Sequence, residues 1–374
     1  MRNIRLFTLI LGVALFGCQG QTEPEDNGGE QNGNGSVELV GNISLSTERE
    51  VIKADGEYST KLTVMLRDKR GIEHDVTSEV EIYCEGIDQP LESSDFKTSV
   101  EGDYVFYAIR GFYISNEVSV KAVKGVPDLP ADEAAANMSF LHRIMLLQHT
   151  GDTCPNCPKL MNILKRLADD DEYNSFYHHV ASHSYNDYDP AGSAAARSLS
   201  KDMNPTRNYP MLTYNLKPDE DYPDEATIKK NIMDLHKDVA DAGISASAAL
   251  VGNNVYANIS VKSAVTAKYR VAVWILEDNV HATQSGADAS WQNIHENCLR
   301  LMNGNTKNEC IYGKHIGVIE AGETSEIIAA MELEDGWIAE NCKLIILAVS
   351  GDGDYDLVNC TVCHLDSSVS YEYL

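Results

Sequence analysis

The sequence predicts a multidomain chain in which one α/β segment lies between two all-β segments. Three observations lead there. Short runs of alternating apolar and polar residues fill 37–125. From Ile144 the pattern changes to a continuous apolar run, a loop and an amphipathic stripe. After about residue 244 the strand period returns and lasts to the end. A length of 374 residues exceeds one ordinary core, and 43% hydrophobic with 23% charged residues is normal for folded protein. The formal charge of −27 repels phosphate backbones and anionic headgroups, so nucleic acid and electrostatic docking on a membrane are excluded as partners.

Residues 1–18 read as a lipoprotein signal peptide. Arg2 and Arg5 precede an apolar stretch, Leu6 to Leu15, too short to span a bilayer. Leu15-Phe16-Gly17-Cys18 then matches a lipobox, in which the Cys18 thiol takes a diacylglyceryl group and the peptide is cut before it. The lipid is the anchor, and a Cys carrying more than one acyl chain holds a membrane stably. Residues 19–36 are Gly, Asn, Gln, Glu and Asp with almost nothing apolar, which reads as a flexible tether.

Within 37–125 the runs Lys61 to Leu66, Val80 to Tyr83, Tyr104 to Tyr107 and Val118 to Lys121 are strand candidates separated by turn residues. Ala54-Asp55-Gly56, Asp68-Lys69-Arg70-Gly71 and Ser115-Asn116 resemble bacterial immunoglobulin-like modules, so a β-sandwich is expected. Asp128 to Asn137 reads as a linker or short helix.

In 138–243, Ile144 to Leu147 suits a strand buried on both faces. It meets Thr150-Gly151-Asp152-Thr153 and then Cys154-Pro155-Asn156-Cys157-Pro158, with Leu160, Ile163, Leu164 and Leu167 as a helical stripe. A strand at Val180 to His183, a helix near Ala194 to Leu199, and Tyr209-Pro210 entering an apolar strand follow. An aromatic-Pro pair there fits a cis-Pro loop. Asp224 would start a helix marked by Ile228, Ile232, Leu235 and Val239. This order is thioredoxin-like. Residues 244–374, with Tyr269 to Leu276 and Leu344 to Val349 as strands, form a second immunoglobulin-like β domain.

The chemistry expected at the centre is thiol–disulfide exchange. With Cys154 at the N-cap and Pro155 at the first helical position, unpaired amides would hold the Cys154 thiolate below the ~8.5 of a free thiol. Cys154 would attack a substrate disulfide, Cys157 would resolve the mixed disulfide, and Pro210 would offer backbone groups to a bound peptide. His149 and His183, at strand ends, would tune the thiolate or be ordinary surface histidines. The same pair serves equally as a permanent staple at the helix start. Cys360-Thr361-Val362-Cys363-His364 spells a haem-attachment motif, but it lies in a strand pattern. Zinc between the two pairs would have to cross a domain boundary. No cofactor or metal is expected, and Cys84, Cys298, Cys310, Cys342, Cys360 and Cys363 are left as disulfides or buried thiols.

Taken together, Thr150-Gly151, Cys154 to Pro158, His183, Tyr209-Pro210, Val273 to Asn279 and Gln284-Ser285-Gly286 resemble a Bacteroidetes lipoprotein family. It is the family related to the twenty-eight-kilodalton outer membrane protein. The resemblance covers roughly 140–374 and implies a thioredoxin-like domain followed by an immunoglobulin-like one, placed at the outer membrane. Family members carry acidic and aromatic residues before Thr-Gly, where this chain has Leu147, Gln148 and His149. An acid near the thiols is therefore missing. Two functions follow as expectations: exchange with the thiols or disulfides of exported proteins, or non-enzymatic binding of surface ligands on a thioredoxin scaffold.

Overall fold

A computed structural model describes residues 41–218 and 224–374; the expected signal peptide, Cys18 and the tether lie outside the described residues. The molecule is mostly β-sheet with few helices, and no helix among the described residues is long and apolar enough to cross a membrane. Residues 41–374 form one compact unit.

Alternation in the first segment becomes two small sheets. Strands Gly41–Thr47, Thr60–Asp68 and Glu73–Asp75 make one, with Asp95–Phe96 on the edge of Thr60–Asp68. Val51–Lys53, Val118–Val123, Gly102–Arg110 and Glu81–Cys84 make the other, extended by Tyr113–Ile114. Every second residue of Thr60–Asp68 points inward, so Leu62, Val64 and Leu66 are fully buried. Asp128 to Asn137 is irregular rather than helical. It is tied down where Lys262 Nζ meets Asp132 Oδ2 at 2.9 Å.

The apolar run at Ile144 is a strand, Ile144–Thr150, with all seven residues buried. It pairs parallel with Tyr177–His183 and antiparallel with Met211–Tyr214. Helices Cys157–Ala168 and Glu225–Leu235 cover one face. Leu160, Leu164, Leu167, Ile228 and Ile232 pack there on Ile144 and Leu146. Each such side chain contributes about 1.5–3 kcal/mol when fully buried. Helix Ala194–Met203, capped by Ser193 Oγ on the Ala196 amide at 2.9 Å, covers the other face. Asp224 does start the third helix, taking the Thr227 amide at 2.8 Å. That helix ends at Leu235, and Val239, expected within it, is exposed.

Residue 244 lies within a strand, Ala242–Val251, and the architecture runs through it without a break. Tyr177–His183 continues sideways into Cys298–Met302, then Ala267–Glu277, Cys342–Ser350 and Leu357–His364, making one eight-stranded sheet with Lys314–Ile319 beside Ala267–Glu277. The junction is narrow: Ala181 faces Cys298 as the one aligned pair, and the Ala181 amide donates to the Asn297 carbonyl at 2.9 Å. Met145, Leu147 and Val180 share a core with Trp274, Leu276, Leu299 and Leu347 under helix Ala194–Met203. A four-stranded sheet, Thr324–Glu332, Asn254–Ser263, Ala242–Val251 and Ser367–Val369, packs on the opposite face of the distal strands.

Arg300 and Glu277 pin this junction. The Arg300 Nε–Glu277 Oε2 contact is 2.6 Å with both side chains buried, and Arg300 Nη1 also donates to the Pro190 and Gly192 carbonyls. Glu277 Oε1 accepts the Ile338 amide at 2.8 Å. Removing one partner of such a pair leaves a buried charge unmatched. Arg300→Met should therefore cost about 3–5 kcal/mol in urea unfolding; a change below about 1 kcal/mol would contradict this role.

Candidate functional site

The first turn of helix Cys157–Ala168 corrects the sequence reading. Asn156 is the N-cap, already helical in backbone, so Cys157 and Pro158 open the helix. Cys154 lies three residues earlier, and Pro155 is not the first helical residue. The Cys154 carbonyl accepts the Cys157 amide at 3.3 Å, and the Cys154 amide donates to the Gly151 carbonyl at 3.1 Å, so two tight turns lead into the helix. The free helix amides thus converge nearer Cys157 than Cys154. Cys154 and Cys157 form a disulfide with 5.4 Å between Cα atoms, and the two residues are 1% and 0% exposed. The Tyr209-Pro210 bond is cis, with Pro210 buried and Met211 next to it facing His149 across the sheet.

A segment from the last third of the chain grips the loop that carries Cys154. The segment between Val280–His281 and Ile294–His295 folds over the loop before the helix. Gln284 Nε2 lies within hydrogen-bond reach of the Gly151, Asp152 and Cys154 carbonyls, at 3.2, 3.0 and 3.0 Å. The Ser285 amide donates to the Asp152 carbonyl at 2.6 Å. Gly286 has φ +73°, and a Cβ there would meet the Pro155 carbonyl oxygen at 2.5 Å. Only glycine permits so close an approach. Further along, Gln292 Nε2 donates to Asn162 Oδ1 at 3.1 Å, and Gln292 Oε1 accepts the Asp288 amide at 2.8 Å.

From below, Asp189 holds the same loop. Its Oδ2 accepts the Asp152 amide and His183 Nδ1–H, both at 2.8 Å, and its Oδ1 accepts the Ala191 amide at 2.9 Å. Burial pushes the Asp189 carboxyl up, but the His183 imidazole and these amides outweigh it and hold the group at about 2. The His183 ring meets the His295 ring edge to face at 4.7 Å between centroids. Gly151 is forced by crowding: a Cβ would sit 2.4 Å from Tyr185 Cβ.

Of the expected modulators, His183 joins this assembly through Asp189 and His149 does not. His149 alternates to the opposite face of its strand, with Nδ1 2.9 Å from Ser200 Oγ and Nε2 3.3 Å from Thr213 Oγ1. Both histidines are buried rather than at the surface. Cys360 and Cys363 point to opposite faces of their strand, Cys360 at the Ile144 carbonyl and Cys363 at the Ala246 carbonyl, so they cannot jointly hold a haem. Cys84, Cys298, Cys310, Cys342, Cys360 and Cys363 are free thiols, and burial raises each above its ordinary value. Among the described residues no group of three His, Cys, Asp or Glu side chains is arranged to hold a metal. The residues that sequence reasoning missed are Asp189, Gln284 and Gln292. Gln284-Ser285-Gly286 was visible as a family signature of the last domain, with nothing to connect it to the cysteines.

No family model and no curated protein matches the chain. Among solved structures it is similar to HBP35 of Porphyromonas gingivalis, at 16% identity over 63% of this chain and 78% of that one, with a TM-score of 0.49. It is also similar to a domain of the outer membrane lipoprotein Omp28 from Porphyromonas gingivalis, at 17% identity over 34% of this chain and 89% of that one, with a TM-score of 0.24.

Two outcomes follow from this geometry. Gln284→Ala should raise the rate at which a small thiol reductant opens the Cys154–Cys157 disulfide by about tenfold, read by alkylation and mass; an unchanged rate would show that Gln284 does not guard it. Burial holds His142 and His295 at about 4 and His149 at about 3, while all three take up protons near 6.5 once unfolded. Below 6.5 the unfolded chain binds more protons, so stability should fall progressively from pH 6.5 towards 4 and stay flat from 7 to 8. Urea midpoints at pH 7.5, 6 and 5 check this, and equal midpoints would contradict it.

Proposed function

We propose that the chain is an exported lipoprotein of the outer membrane, held by acyl chains on Cys18. In this reading its thioredoxin-like domain, between two immunoglobulin-like β domains, is a binding scaffold and not a turnover enzyme. The anchor rests on Leu15-Phe16-Gly17-Cys18 and the tether behind it, and the location on the family resemblance over 140–374. The observation that carries the non-catalytic reading is the burial of both cysteines, with Gln284 to Gly286 packed on the backbone of the loop that holds Cys154. Thiol–disulfide exchange requires in-line approach of an attacking thiolate to one sulfur. A roof donating to the Cys154 carbonyl, and packed on the Pro155 carbonyl, denies that approach. The disulfide then acts as a staple that fixes the loop on which the roof rests.

The competing reading, exchange with exported proteins, is favoured by cis-Pro210 and by the strand, Cys-x-x-Cys, helix order; it requires the roof to lift. The reduction potential of Cys154–Cys157 in the full chain separates the two. The scaffold reading expects a value below about −300 mV and no insulin reduction or oxidative refolding. A potential between about −120 and −270 mV, with activity abolished in Cys154→Ser, would overturn it.

A further inference from the structure

A second concavity lies beside the stapled loop, and neither cysteine lines it. It encloses about 400 Å³ between helix Cys157–Ala168, the ends of strands Ile144–Thr150 and Tyr177–His183, and the segment from Trp291 to Asn297. Such a volume is that of a small-molecule site. It exists because Tyr177–His183 and Cys298–Met302 align at one residue pair only, so the two halves of the sheet part there.

The floor carries two polar groups without partners. Gln148 and Thr150 are 3% and 2% exposed, and neither Gln148 Nε2 nor Thr150 Oγ1 has a hydrogen-bond partner among the described residues. Buried polar atoms are rarely left so. The direction of the Gln148 amide follows from its neighbours. Asn297 Nδ2 donates to His179 Nδ1 at 3.3 Å, which leaves the proton on His179 Nε2, and that proton goes to Gln148 Oε1 at 3.1 Å. The NH2 end of Gln148 is therefore the free end, a fixed donor. Burial keeps His179 and His295 neutral down to about 4, and of the charged groups that line the cleft Lys165 Nζ pairs with Asp169 Oδ2 at 3.2 Å while Glu296 is acidic. Met161, Leu164 and the indole of Trp291 supply apolar wall, with Lys165 Nζ lying over that indole, 5.9 Å from its centroid.

We propose that this cleft binds an uncharged aromatic or heteroaromatic molecule bearing a carbonyl or amide oxygen. The oxygen accepts from Gln148 Nε2, the Thr150 hydroxyl takes a second polar group, and the ring lies against Trp291, Met161 and Leu164. Flat rings find favourable faces on indole and thioether, and a lining whose lysine, Lys165, already pairs with Asp169 and which also carries Glu296 gives a carboxylate little to offset its lost water. The proposal stands independently of whether the disulfide turns over.

The test is a titration of the full chain with benzamide, followed by ligand-observed NMR and by tryptophan fluorescence. Saturable one-to-one binding is expected. It should weaken at least tenfold in Gln148→Glu, which keeps the acceptor for His179 and removes the donor. Ala168→Trp, at an exposed position on the rim, should block entry without disturbing the core. Benzoate and cyclohexanecarboxamide should each bind at least fivefold more weakly than benzamide. Absence of saturable binding in the unaltered chain would overturn the proposal and leave the cleft to water. Equal binding in both variants, or benzoate binding as tightly as benzamide, would overturn it too.

Discussion

The carboxamide of Gln284 joins two stretches of chain about 130 residues apart, and the arrangement of the central region turns on that contact. The turns of the loop from Gly151 to Cys154 use the Gly151 and Cys154 carbonyls once each and leave that of Asp152 over, while a carbonyl can accept twice. Gln284 and the Ser285 amide take them up. Three constraints then act on the same few residues: the disulfide from within, Asp189 from beneath, and the 284–286 segment from above. Each restricts motion the others would allow, so the loop's preferred state is closed.

That closure requires the two halves of the sheet to stay in register, since the roof grows from the C-terminal half and the cysteines from the other. Ala181 facing Cys298 makes only one aligned pair. The shared core beneath helix Ala194–Met203 and Arg300, held in place by Glu277 and donating across the junction, therefore carry the alignment. Arg300 reaches the Pro190 and Gly192 carbonyls, directly after Asp189 in sequence. Arg300, which crosses between the halves through these carbonyls, thus also steadies the carboxylate that joins the loop to His183. Where the halves part, above Gln148 and Thr150, the sheet leaves the cleft.

Local features of this fold were legible in the sequence and tertiary ones were not. The apolar run at Ile144, the Leu160-Leu164-Leu167 stripe, the Asp224 cap and the cis bond at Tyr209-Pro210 are fixed by near neighbours and short-range chemistry. The helix start was misplaced by two residues because Cys154 and Pro155 suit an N-cap and first turn, whereas the loop's bonds to Asp189 and Gln284 hold them outside. His149 was placed near the thiols from its position at a strand end; the two-residue period sends it to the other face. The continuity of the sheet through 244 was invisible, since a strand pattern does not name its partner. Asp189 offered no signal of its own, and the Gln284-Ser285-Gly286 signature did not name its partner: a carboxylate and an amide acquire meaning only from what they meet.

A stapled, inert disulfide requires the roof to be a permanent part of the native state. Native-state hydrogen exchange at the Ser285 amide, which donates to the Asp152 carbonyl, tests this most directly. If the roof is permanent, Ser285 exchanges with the same protection as the Cys157 amide, and both respond to denaturant with the slope of global unfolding. Exchange of Ser285 at the rate of an open loop, with Cys157 still protected, would mean that the roof lifts on its own and that the sulfurs beneath it are within a partner's reach.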